Sequence, residues 1–252
     1  TYSEYLWKTH KYGRDEGEYH LYEQLQSYLQ EAETKQLDLI RFDYLDEDEM
    51  FDNHSYAKGG LILHMLRNYV GDEAFFKSLE NYLRSHAYGK AEIHELRLAF
   101  EQVTGEDLNW FFNQWFLDAG HPVLKVEQSY DHQSRNLILK IWQEQNQDLY
   151  PIYKLPITLD LWIGNENDQY LVEIDRPYQE FEFEDISEPD LLLLDSENIL
   201  VGEIHHEKSK DQWINQYRKY DQNVRARYNA FEHLKNEYTG DYTLELMREI
   251  LK

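Results

Sequence analysis

The run Tyr56-Ala57-Lys58-Gly59-Gly60 holds the residue types and spacing in this sequence best suited to chemistry. It closes a stretch that starts at His54, after an acidic segment, and opens a strongly apolar helix reaching about Val70. The tyrosine therefore falls at the mouth of a helix, and the glycines leave no bulk behind it. A phenol keeps its proton at neutral pH, since its ordinary pKa is about 10. Held at a helix mouth, it can donate a hydrogen bond into a cleft, which suits a reaction that builds negative charge on an oxygen.

The other candidates are weaker. His94-Glu95 is followed by Leu96-Arg97-Leu98, so the second histidine of a His-Glu-x-x-His zinc motif is absent there. His205-His206-Glu207 sends neighbouring side chains to different faces of any regular element, and the pair reads as two surface histidines after a strand. Lys58 reads as a helix-surface or ion-paired lysine in preference to an electrostatic participant. Six acids lie between residues 43 and 52 (Asp43, Asp46, Glu47, Asp48, Glu49 and Asp52), without the glycine and terminal glutamate of a calcium loop. They read as a solvated loop. As the approach to Tyr56, the loop is also a candidate rim for a cleft that attracts a peptide's amino terminus.

The elements that must position Tyr56 follow from periodicity. Up to residue 120 the apolar residues fall at helical spacing. Tyr19, Tyr22, Leu25, Tyr28, Leu29 and Ala32 make one stripe; Phe75, Phe76, Leu79, Tyr82 and Leu83 make another, with Asp72 as the expected N-cap. Ile93, Leu96, Phe100 and Val103 form a third, and Leu108, Phe111, Phe112, Trp115 and Phe116 a fourth. These aromatics read as core. Thr1 to Trp7 reads as the interior of a helix. Gly120-His121-Pro122 ends the helical part. From Val123 to about Ile204 the period is two, with strands expected at 123–127, 137–142, 157–163, 170–174, around Phe181 and Phe183, at 191–194 and at 199–204. About seven short strands in this span predict a small β-sandwich. Helix returns along Trp213, Ile214, Tyr217, Tyr220, Val224 and Tyr228, and again from Tyr242 to Leu251.

Composition narrows the partners. The 252 residues are 41% hydrophobic and 15% aromatic, enough for a packed core, and carry a net charge of -24. That sign disfavours nucleic acid and anionic membrane surfaces. There is no cysteine, which removes disulfides, thiol catalysis and zinc ribbons from this chain. No apolar run approaches the roughly 18 to 20 residues of a membrane span. The first residue is threonine, and the chain is expected to be a fragment whose own N-terminus and any signal lie elsewhere. Both cytoplasm and periplasm stay open.

Thr1-Tyr2-Ser3-Glu4-Tyr5-Leu6-Trp7, Tyr56-Ala57-Lys58-Gly59, Gln114-Trp115-Phe116 and Gly120-His121-Pro122 together resemble the aminopeptidase N family of gluzincin zinc metallopeptidases. The resemblance covers residues 1–120 well, 122–205 moderately and 206–252 weakly. It implies a multidomain α plus β chain. Residues 1–120 would be the helical C-terminal half of the catalytic domain. Residues 121–205 would be the small β-sandwich, and 206–252 the start of an α-helical repeat domain. It implies that Thr1 lies just past the glutamate that completes the zinc site, that Glu4 is a later glutamate on the same helix, and that Tyr56 is the catalytic tyrosine stabilising the tetrahedral oxyanion. Ala57 departs from the acid usual at that place. The implied function of the parent is zinc-dependent removal of N-terminal residues from peptides. Zinc would bind in the parent, with no metal ligand in this chain, and the fragment would be inactive. The alternative is a non-catalytic relative acting as a protein-interaction scaffold; an epoxide hydrolase, as in the leukotriene hydrolase branch, is a third possibility that no residue favours.

Overall fold

The computed structural model describes residues 1–220 and 223–237. Its first part is helical: α1 (Tyr2–Tyr12), α2 (Arg14–Ala32), α3 (Gly59–Val70), α4 (Asp72–Ser85), α5 (Ile93–Thr104) and α6 (Asn109–Phe112). Two five-residue π-turns interrupt it, His54–Lys58 leading into α3 and Asn113–Leu117 following α6. The expected stripes supply the core, with Tyr28, Phe75, Phe100, Phe111, Phe112 and Trp115 all buried. Not every stripe residue goes inward. Phe76 and Leu83 of α4 are exposed, because Phe75 alone makes the ring contacts with Phe100 and Tyr2, while Phe76 lies under the Arg67 guanidinium. Asp72 is the first residue of α4 rather than its cap; Gly71 precedes the helix with φ +82°, and Arg67 grips the Asp72 carboxylate through two 2.7 Å bonds. The segment from Tyr2 to Trp7 is helical, within α1, with Thr1 as its N-cap.

Gly120, at φ +84°, ends the helical part at a place where a Cβ would meet the Tyr150 ring. Seven strands follow: β1 (Val123–Asp131), β2 (Asn136–Gln143), β3 (Leu155–Ile163), β4 (Glu166–Ile174), β5 (Tyr178–Phe183), β6 (Leu191–Leu194) and β7 (Glu203–His206). They form a four-stranded sheet in the order β5-β2-β1-β7 and a three-stranded sheet in the order β4-β3-β6. Alternation sends Leu137, Leu139 and Ile141 of β2 inward with Leu124 and Val126 of β1. Leu155, Ile157, Leu159 and Leu161 of β3 join the same buried cluster, which continues into the helical part.

The last strand is shifted from its expected place. Residues 199–202 are loop, because the buried Asp195 carboxylate accepts the N–H groups of Ile199 and Leu200 at 2.9 Å each and so takes them out of any ladder. β7 instead pairs in parallel with β1, with Val123 opposite Glu203 and Val126 opposite His206. His205 and His206 thus lie in the strand rather than after it. His205 is exposed, whereas His206 is largely buried and its imidazole is held neutral by that burial.

β6 has all four leucines buried. Leu192 and Leu194 face the main core, and Leu191 and Leu193 pack against Tyr220 and Ala226 from the helices that follow, α7 (Lys210–Lys219) and α8 (Val224–Glu237). The sequence reads as one stripe through Tyr228, but the helix breaks at Tyr220. Its hydroxyl donates to Asp160 at 2.6 Å and accepts from Trp162 Nε1 at 3.1 Å, fastening this point to β3. The helix expected over Tyr242 to Leu251 lies outside the described residues.

Candidate active site

The turn carrying Tyr56 is built by its backbone before its side chains. The N–H of Tyr56 donates to the Asp52 carbonyl four residues back, and that of Lys58 to Asn53 five residues back at 2.8 Å. The extra residue per turn is a π-turn, a form often found at functional sites. Gly60, immediately after it, lets α3 sit against the start of α1: a Cβ there would lie 3.3 Å from the Tyr2 nitrogen. This contact brings the Tyr56 turn beside Thr1 and Glu4, some fifty residues earlier in the chain.

Tyr56 is 45% exposed, and its ring leans on Phe51 with centroids 6.0 Å apart. Tyr56 lines an open cleft of about 560 Å³ together with Thr1, Glu4, Gln24, Glu31 and Asp52. The residues on either side of Tyr56 are fixed much more firmly than Tyr56 itself.

On one side stands Asp52, whose side chain is only 6% exposed. One carboxylate oxygen accepts the Ser55 N–H at 2.8 Å; the other takes Lys35 Nζ and Arg41 Nη2, each at 2.6 Å. Burial alone would raise its pKa, but these donors outweigh burial and bring it down to about 2. Asp52 thus departs from the solvated acids expected of this stretch, while the other five are exposed. The shift has a testable consequence. With the folded pKa below the unfolded one, Asp52 stabilises the fold above about pH 4, and that stabilisation is lost as pH falls toward 2. At neutral pH Asp52→Asn should cost about 1–2 kcal/mol in denaturant unfolding. The two proteins should converge in stability near pH 2; a constant gap over that range would show that the carboxylate charge is not the cause.

On the other side stands Lys58, which is fully buried rather than on a surface. Its ammonium donates to the Gly120 carbonyl at 2.8 Å and lies 5.5 Å from the centre of the Tyr28 ring. No carboxylate pairs with it among the described residues; Asp38 and Asp118 act on it from farther away. Burial lowers its pKa to about 8. Holding the charge inside at neutral pH therefore costs on the order of 3 kcal/mol relative to the unfolded chain, recovered only as pH rises from about 8 toward 10.5. The Tyr28 hydroxyl lies 3.3 Å from the same carbonyl and 3.0 Å from His121 Nδ1, and His121 Nε2 reaches Glu203 at 3.2 Å. The Tyr56 turn is thereby tied to β7.

Glu31, Asp52 and His54 have ligand-type atoms within 4.8 Å of one another. They do not fit a zinc ion. His54 Nδ1 is already 3.0 Å from Glu31. Its other nitrogen is buried beside the Tyr28 ring, and the Asp52 oxygen carries two cations. His94 and Glu95 are no better placed, since Glu95 caps the first turn of α5 through the Glu92 N–H. The Glu31–His54 pair and the Asp52 anchor left no sequence signal beyond the acidic run, because Glu31 and His54 are 23 positions apart and belong to different elements.

The profile described as "Peptidase family M1 domain" matches residues 1–115, the span that contains the Tyr56 turn and the helices around it. Over residues 1–115 the chain is similar to peptidase family M1. Among similar proteins, the tricorn protease-interacting factor F2 of Thermoplasma volcanium is 46% identical over 90 residues, which is 34% of this chain and 12% of that protein. Aminopeptidase M1 of Arabidopsis thaliana is 40% identical over 80 residues, 32% of this chain and 9% of that protein. Aminopeptidase N of Streptomyces lividans is 40% identical over 91 residues, covering 35% and 11% respectively. A crystal structure of Legionella pneumophila aminopeptidase A in complex with aspartic acid superposes on 92% of this chain with a TM-score of 0.73 at 19% identity. This chain spans 26% of that structure, and the segments it shares with the relatives by sequence are about a tenth of their length. The chain is a mixed α/β structure with the same fold as the corresponding part of aminopeptidase A.

Proposed function

We propose that this chain is part of a longer M1 aminopeptidase that removes N-terminal residues from peptides, and that Tyr56 is its oxyanion donor. The observation that carries this reading is the contrast within one turn. Asp52, His54 and Lys58 are committed to internal partners, while Tyr56 is 45% exposed and lines the open cleft. When the carbonyl of a peptide bond is attacked, its oxygen gains negative charge. An O–H donor held at that point would need little reorganisation to stabilise it. The zinc that the family resemblance implies is assigned to residues outside this chain, because the Glu31, Asp52 and His54 set does not fit it. Residues 1–120 would contribute one wall of the cleft, residues 121–205 a small β-sandwich and residues 206–252 the start of a helical domain.

The test uses the polypeptide in which this chain follows a complete His-Glu-x-x-His and glutamate segment. That protein should hydrolyse aminoacyl reporter amides and stop when its metal is chelated, whereas this chain alone should do neither. Zinc-dependent hydrolysis by this chain alone would overturn the assignment of the ligands. A longer protein whose zinc-ligand positions are substituted, and which binds partners without cleaving peptides, would establish the scaffold reading instead.

A further inference from the structure

We infer that Lys58 is a positioning residue for Tyr56: by fastening the π-turn to the Gly120 carbonyl from inside the protein, it sets the direction in which the phenol points. The inference rests on the proposed role of Tyr56.

Three observations support it. The first is cost. An ammonium with 0% exposure, one carbonyl acceptor and no carboxylate partner among the described residues is an unfavourable way to fill a core. An unbranched apolar side chain of similar length would fill the same space without desolvating a charge, so packing does not account for a lysine here. The second is place. Lys58 is two residues from Tyr56, and its backbone N–H makes the i to i−5 bond to Asn53 that defines the π-turn. Its side chain reaches 62 positions along the chain to Gly120, which is itself fixed by the left-handed φ of +84° and the Tyr150 ring. The third is symmetry of restraint. Asp52 fastens the start of the turn to Lys35 and Arg41, and Lys58 fastens its end. Tyr56, between them, has its backbone defined at both ends and its side chain free.

A lysine acting in this way affects turnover through Tyr56 and through nothing else. The test is a double-mutant cycle in the full-length aminopeptidase, with kcat and KM measured on an aminoacyl reporter and thermal midpoints measured alongside. Lys58→Met should lower kcat about tenfold or more, with KM within about twofold and a thermal midpoint unchanged or raised. In a Tyr56→Phe background the same substitution should change kcat by less than about twofold, because the group it aims is gone. An unchanged kcat for Lys58→Met overturns the inference. So does a loss of kcat that persists in full in the Tyr56→Phe background, which would mark Lys58 as a general structural residue. If Tyr56→Phe alone keeps its kcat, the reading of Tyr56 fails first, and the cycle separates that result from the other two. Should Lys58→Met not fold, Lys58→Gln, which keeps an N–H donor on a shorter arm, is read by the same two comparisons.

Discussion

Tyr56→Phe in the full-length enzyme is expected to lower kcat roughly 100-fold or more, with KM changed only a few-fold, as for the loss of one oxyanion donor. In free energy that is about 2.7 kcal/mol removed from the transition state and little from the bound substrate. The structure makes this a clean substitution. The fold uses the Tyr56 backbone, through its N–H to Asp52, and the ring, through its contact with Phe51. Both survive in phenylalanine. Metal content and thermal stability should therefore stay at wild-type values, so that a fall in kcat reports the missing hydroxyl. A Phe variant with wild-type kcat would take Tyr56 out of the mechanism and leave the proposed function without a residue in this chain.

The second large effect concerns the junction between the helices and the sheets. Trp115→Ala should cost about 3–5 kcal/mol of unfolding free energy, the range for deleting a large buried ring. Trp115 is 1% exposed and sits in the second π-turn, with its ring 5.0 Å from that of Tyr153 and 6.4 Å from that of Phe111. Its neighbour Gln114 makes a reciprocal pair with Lys154, accepting from its N–H at 2.9 Å and donating to its carbonyl at 3.0 Å. That pair keeps the Tyr153 segment in place, so the walls of the hole left by the indole are held apart and collapse little. With total stabilities of about 5–15 kcal/mol for domains in general, the loss would be a large share of the whole. Urea titration followed by circular dichroism measures it. A change below about 1 kcal/mol would mean that the junction repacks and is softer than its contacts suggest.

Much of this arrangement is legible in the sequence, and the exceptions share a cause. The helical stripes and the period-two strands are local patterns, so β2 and α5 lie where their residues place them. A helix start, a lysine and two glycines within five residues mark Tyr56 as a helix-mouth tyrosine, but pattern alone does not separate it from the other 20 tyrosines, and its proposed role comes from the family resemblance. Lys58 is misread as a surface or ion-paired residue because its acceptor is a carbonyl 62 positions away. Asp52 is indistinguishable by type from the exposed acids before it; Lys35 and Arg41 alone single it out. The shift of the last strand has the same origin, one carboxylate at Asp195 claiming two N–H groups. The break at Tyr220 follows from a bond to Asp160, 60 positions earlier. In each case a polar atom finds a partner far along the chain, and hydrophobic periodicity carries no record of that choice.

The four leucines of β6 bear on how this protein can be cut. The strand lies at the edge of its sheet, and Leu191 and Leu193 are covered by Tyr220 and Ala226 from the α7 and α8 side, with Trp162 of β3 beside them. A truncation at residue 205, where the sequence suggests a border, would leave Leu191 and Leu193 facing water on a strand with one unpaired edge. Such an edge invites pairing with another molecule. The helices beyond 206 thus serve the sheet as a cover, and soluble truncations should retain them through at least Ala226.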